Sequence, residues 1–138
     1  MRVEPYLSFE GRCEEALDFY KKAVGAEVTM MMKYGEAPDK SMMTPGTENK
    51  VMHAAAKIGD SVVMCSDGFN KGKTNFEGIS LAMTATSDAE AKRMFDALSA
   101  GGQVQLPLSK TFFASSFGMV GDKFGVTWMI MMPASAPA

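Results

Sequence analysis

The chain is predicted to be an α+β protein made of two tandem β-α-β-β-β modules, and three observations lead there. Its apolar residues switch from a strand-like alternation to a helical period and back again, and they do so twice. Each helical stretch ends at glycine. The order of elements over residues 1–68 recurs over residues 76–132 at nearly constant spacing.

Arg2 to Glu10, with Val3, Tyr6, Leu7 and Phe9, reads as the first strand. From Arg12 to Val24 the residues Cys13, Ala16, Leu17, Tyr20 and Val24 form one apolar helical stripe. Glu14 and Glu15 in its first turn and Lys21 and Lys22 in its last suit the helix dipole, and Gly25 stops it. Glu27 to Tyr34 is the next strand. Gly35 to Asn49, with two prolines and two glycines, is a long loop. Lys50–Ile58 and Ser61–Ser66 make a hairpin around Gly59-Asp60. Asp67 to Asn75 is expected to link the modules. In the second module Gly78 to Thr86 is a strand, and Ser87 with Glu90 has capping-box spacing. Ala91, Met94, Phe95 and Leu98 are the helical stripe, ended by Gly101-Gly102. The step from Cys13 to Ala91 equals that from Leu17 to Phe95, 78 residues, and Gly25 to Gly101 is 76. Gln103–Leu106 is a short strand followed by a Pro107 loop; Thr111–Val120 and Val126–Met132 are the last strands, turned by Gly121–Gly125. A small, proline-containing tail over residues 133–138 is expected to fray. One helix covers only one face of a four-stranded sheet, so each module's other face needs the second module or another chain.

Composition narrows the function classes. With 46% hydrophobic and 22% charged residues the 138-residue chain has the balance of a globular domain. Fourteen basic against sixteen acidic residues leave a net charge of -2, so no basic surplus exists for a nucleic-acid backbone. No apolar run approaches membrane-spanning length and no signal-peptide pattern opens the chain, so a cytoplasmic protein is expected. Two cysteines, Cys13 and Cys65, lack metal-ligand spacing and read as buried thiols. The single histidine, His53, excludes a site built on two imidazoles of one chain. Fourteen methionines, grouped at Met30–Met32, Met42-Met43 and Met129, Met131 and Met132, either line a plastic apolar pocket or stand where other chains use leucine.

Tyr6-Leu7-Ser8-Phe9, Gly11, Glu14-Glu15-Ala16 and Phe19-Tyr20-Lys21-Lys22 resemble the opening of the vicinal-oxygen-chelate superfamily, which includes glyoxalase I, extradiol dioxygenases and bleomycin-resistance proteins. Met52-His53-Ala54 with Ile58-Gly59-Asp60-Ser61 and Asp67, and Phe117-Gly118-Met119-Val120 with Asp122, Phe124-Gly125-Val126 and Trp128-Met129-Ile130, resemble its PhnB-like branch. The resemblance implies an eight-stranded cup and a homodimer. In metal-dependent members of the superfamily four His or Glu side chains hold a divalent ion that chelates the substrate. By the resemblance those positions fall here on Pro5, on Val63 or Met64, on Ser80 and on Met129, none of them a carboxylate or imidazole. The chain also carries Phe113-Ala114 where the branch tends to have Trp-Gly, Asp122-Lys123 for Asp-Pro, and Ala55 for a Glu.

The resulting expectation is a metal-free, cofactor-free protein that binds a small, largely apolar molecule, with Leu7, His53, Met64, Ser80, Phe113 and Met129 lining the pocket. The alternative is a lyase, isomerase or dioxygenase-type enzyme with His53 as base, with or without a rebuilt divalent site on Glu4, Glu10 or Asp67. His53 is either that reactive imidazole or a hydrogen-bonded strand residue. Asp122 is expected to bond turn amides, Trp128 and Phe124 to sit in the core, and Lys110 to be a solvated loop lysine or an anion anchor.

Overall fold

The computed structural model describes residues 1–39, 41, 43, 45–69 and 72–134. Met42 and tail residues 135–138 lie outside these. The chain divides into two units, residues 1–74 and 75–138.

In the first unit the strands β1 (Tyr6–Ser8), β2 (Glu27–Lys33), β3 (Val51–Ile58) and β4 (Ser61–Ser66) form a sheet in the order β1-β4-β3-β2. β1 and β4 run parallel; the other pairs are antiparallel. The helix α1 (Cys13–Val24) buries the whole predicted stripe together with Ala23. It stops where Gly25 takes φ 67°, a left-handed turn that lets its N–H donate to the Tyr20 carbonyl. No side chain of Arg12 caps the other end. That task falls to Asp67: its Oδ1 accepts the Cys13 N–H at 2.8 Å, and its Oδ2 accepts the Val51 N–H at 2.6 Å. Asp67 therefore does not open a linker. It is a buried bolt between the helix start and the first residue of β3, satisfying one buried backbone donor at each.

Leu7, Ala54, Ala56 and Cys65 are buried on the helix-covered face, with Leu7 and Ala54 both paired to Cys65. Cys13 and Cys65 are both free and buried, with their Sγ atoms 3.5 Å apart. The bond to Cys65 and burial together hold the Cys13 thiol far above its ordinary pKa.

The second unit repeats the plan. β5 (Ser80–Thr84), β6 (Gln103–Ser109), β7 (Ala114–Gly121) and β8 (Thr127–Pro133) assemble in the order β5-β8-β7-β6, again with one parallel pair, β5 with β8. The helix α2 (Asp88–Ser99) begins at the capping box: Ser87 Oγ accepts the Glu90 N–H at 3.1 Å, and Glu90 Oε1 reaches back to the Thr86 N–H. Ala91, Phe95 and Leu98 are buried and Met94 half-buried. Gly118 lets α2 seat on β7, since a Cβ there would lie 2.7 Å from the Phe95 ring.

The expected Pro107 loop is instead strand. β6 runs on to Ser109, and proline is tolerated because β6 is the sheet edge and its register to β7 is broken between Leu106 and Ser109. Asp122 closes the last turn as expected, its Oδ1 accepting from the Phe124 and Val126 amides at 2.9 and 3.1 Å. Its Oδ2 also accepts from the Trp128 indole at 2.9 Å, and Trp128 and Phe124 are core residues. Among the described residues no helix is long and apolar enough to cross a membrane.

Candidate functional site

Side chains alternate across a strand, so register alone sorts them into a face against the helix and a face turned away. In the first sheet the away face carries one row of Tyr6, Met64, Ala55 and Met30, read straight across from β1 to β2. Beside it Met32 stands opposite His53. Tyr6 Oη and His53 Nδ1 lie 3.1 Å apart, an O–H···N or N–H···O bond according to the imidazole tautomer, and the two rings stack at 5.6 Å. Nε2 of His53 carries no hydrogen bond among the described residues. His53 and Met64 are half-buried, while Tyr6 is 47% exposed. Leu7, expected among the pocket residues, points the other way, into the contact with α1, and is 5% exposed. One residue of displacement along a strand decides this, and Tyr6 occupies the place Leu7 was expected to fill.

In the second sheet the face away from α2 is a block of sulfur and aromatic side chains. Ala82, Met129, Met119 and Leu106 form one row, and Thr84, Met131, Phe117 and Ser109 the next. Ser80 lies opposite Thr127 at one end. Phe113 stands at the other, edge-on to Phe117 at 5.2 Å and itself met by Phe112 at 5.1 Å. Ser80, Phe113 and Met129 thus share a face. Phe117, Met119 and Met131 belong with them and were missed, although their alternation with the buried Ser116, Gly118, Val120 and Ile130 was visible in the sequence. Lys110 is exposed, and the neighbouring Thr111 hydroxyl is engaged by the Ala114 amide at 3.0 Å.

The carboxylates considered for a rebuilt divalent site are not brought together. Both oxygens of Asp67 are committed to backbone amides. Glu10 accepts from the Phe69 N–H at 3.1 Å, and Glu4 pairs with Arg2. Among the described residues no group of three or more His, Cys, Asp or Glu side chains is placed to hold a metal ion. One further carboxylate is organised on the rim of the second unit. Asp88 Oδ1 accepts from Ser115 and Ser116 at 2.6 and 2.7 Å, and these bonds hold its carboxyl below the usual range.

Residues 1–131 match the family model described as 3-demethylubiquinone-9 3-methyltransferase. The chain belongs to that family. That match agrees with the PhnB-like resemblance read from the sequence. It is similar to Protein YjdN of Escherichia coli K12, 36% identical over 99% of each chain. The crystal structure of PA1353 from Pseudomonas aeruginosa matches 98% of this chain and 99% of its own at 37% identity and TM-score 0.86. A putative 3-demethylubiquinone-9 3-methyltransferase, PhnB protein, from Bacillus cereus follows at 29% identity, TM-score 0.79 and 96% and 99% coverage. The glyoxylase/bleomycin resistance protein/dioxygenase domain from Frankia shares the fold at 13% identity and TM-score 0.61, covering 96% and 95% of the two chains.

Proposed function

We propose that this PhnB-like protein binds a small, largely apolar molecule on the sheet faces turned away from its helices, without the divalent-ion site of metal-dependent relatives. It acts as a cytoplasmic homodimer. The observation that carries this is what stands where the resemblance puts the ligand positions, Pro5, Val63 or Met64, Ser80 and Met129, with Met64, Ser80 and Met129 on those faces. Thioethers and a serine hydroxyl are weak ligands for a hard or borderline divalent ion but adapt well to apolar shapes. Met30 on the first unit's face, and Met119, Met131, Phe113 and Phe117 on the second unit's, extend the same chemistry within each unit. The fold itself does not supply the ligand's identity.

The bond between Tyr6 and His53 favours a second reading, an enzyme of lyase, isomerase or dioxygenase type. In the tautomer whose Nδ1–H donates to the Tyr6 oxygen, the bond orients the imidazole and leaves the Nε2 lone pair to take a proton. Native mass spectrometry of untagged protein never exposed to chelator separates the two. A dimer at bare mass, or carrying an organic adduct, is expected. One divalent ion per chain would overturn the metal-free proposal and put the enzyme first.

A further inference from the structure

We propose that the away face of the first sheet is a binding site for a soft monovalent metal ion, copper(I), with His53 Nε2 and the thioethers of Met32, Met30 and Met64 as its ligands. The inference goes beyond the apolar binding face, with which it shares His53, Met30 and Met64.

The antiparallel register sets Met32 directly across from His53. Residues so paired have Cβ atoms about 5 Å apart, and diagonal neighbours about 7–8 Å, within reach of long side chains. Met30 lies on the diagonal on the β2 side and Met64 on the β4 side, since Met30 and Met64 both pair with Ala55, two positions along β3 from His53. The one imidazole of the chain therefore shares its face with three methionines, one directly opposite on the neighbouring strand and two diagonal to it.

In the tautomer whose Nδ1–H donates to the Tyr6 oxygen, the bond fixes the orientation of the ring and leaves the Nε2 lone pair available, the arrangement a ligating histidine usually has. Methionine sulfur is a poor donor for zinc, magnesium or iron(II), and a soft one that selects copper(I). Asp67, the nearest buried carboxylate in sequence to Met64, is tied to two amides and cannot turn the site toward a harder ion.

The test is an anaerobic competition for copper(I) against the chromophoric chelator bicinchoninate. It is paired with NMR of methionine methyl groups during titration with silver(I), a redox-inert analogue. The expected result is withdrawal of one copper per chain, with silver shifting the methyls of Met30, Met32 and Met64 but not those of Met119, Met129 and Met131. His53→Ala should weaken the copper affinity at least tenfold and Met32→Leu several-fold, with the methyl spectrum showing that each variant is folded. Zinc at the same concentration should move none of these signals. No withdrawal of copper would overturn the proposal. So would copper retained by His53→Ala without methionine shifts, which would place the ion on Cys13 and Cys65.

Discussion

The Asp122 carboxylate offers a test of how this fold closes its last turn. Its two oxygens serve three buried donors: the Phe124 and Val126 amides on Oδ1 and the Trp128 indole on Oδ2. Replacing it by asparagine keeps the shape but exchanges one acceptor for an NH2 donor. If the amide oxygen faces the two backbone N–H groups, the NH2 meets the indole N–H; flipped, it meets both backbone donors. The first arrangement is less costly, so Asp122→Asn should strand one buried donor, which costs about 1–3 kcal/mol, and lose the charge assistance on the other two. A total near 3 kcal/mol corresponds to a melting temperature lower by roughly 10 °C for a chain of this length. Trp128→Phe removes the donor that asparagine cannot satisfy, at its own packing cost. The double variant should therefore be more stable than the sum of the single losses predicts, by about 1–2 kcal/mol in a double-mutant cycle. Urea unfolding of the four proteins measures this. Strict additivity would refute the idea that the indole bond is what distinguishes aspartate from asparagine here.

Three further outcomes are expected. Gly118→Ala should lower the urea midpoint by the equivalent of about 1–3 kcal/mol, since its Cβ would press on Phe95, and Phe95→Leu in the same chain should recover part of that loss. The Asp88 carboxyl should titrate by NMR below the ordinary value near ~4, and Ser116→Ala should raise it; with a depressed folded-state value, its contribution to stability is present above that ordinary value and disappears as pH falls through the lower folded one. Cys13 and Cys65 should resist iodoacetamide at pH 8 in the folded protein, because burial and their mutual bond keep the Cys13 thiol protonated. Labelling should track the urea unfolding curve, and prompt labelling without urea would contradict the packing of α1 on β4.

What the sequence made legible was periodic or local. The stripe of α1, the Gly25 stop, the Ser87–Glu90 box and the Asp122 turn all depend on residues a few positions apart, and all are found. What escaped depends on pairing across the chain. Tyr6 meets His53 only because β1 inserts parallel to β4, a 47-residue separation that no local pattern announces. Leu7 reads as a pocket residue, although the structure buries it, because a three-residue strand offers too short an alternation to fix its phase. Asp67 reads as a linker residue in the sequence because its partners, Cys13 and Val51, lie 54 and 16 positions away. Pro107 reads as a loop in the sequence because proline excludes a central strand, and position at the sheet edge is a property of topology.

That last residue has a consequence for how the protein behaves in a crowded cell. β6 is exposed at nearly every position, with Val104 and Leu106 facing solvent at the sheet margin. Such a margin is a template on which another unfolded chain can add a strand and seed aggregation. Pro107 has no N–H to offer the incoming strand, and the broken register beside it removes the flat, regular ladder that growth would need. The proline that interrupts the strand pattern thus acts as a gatekeeper, keeping an apolar margin from recruiting further chains.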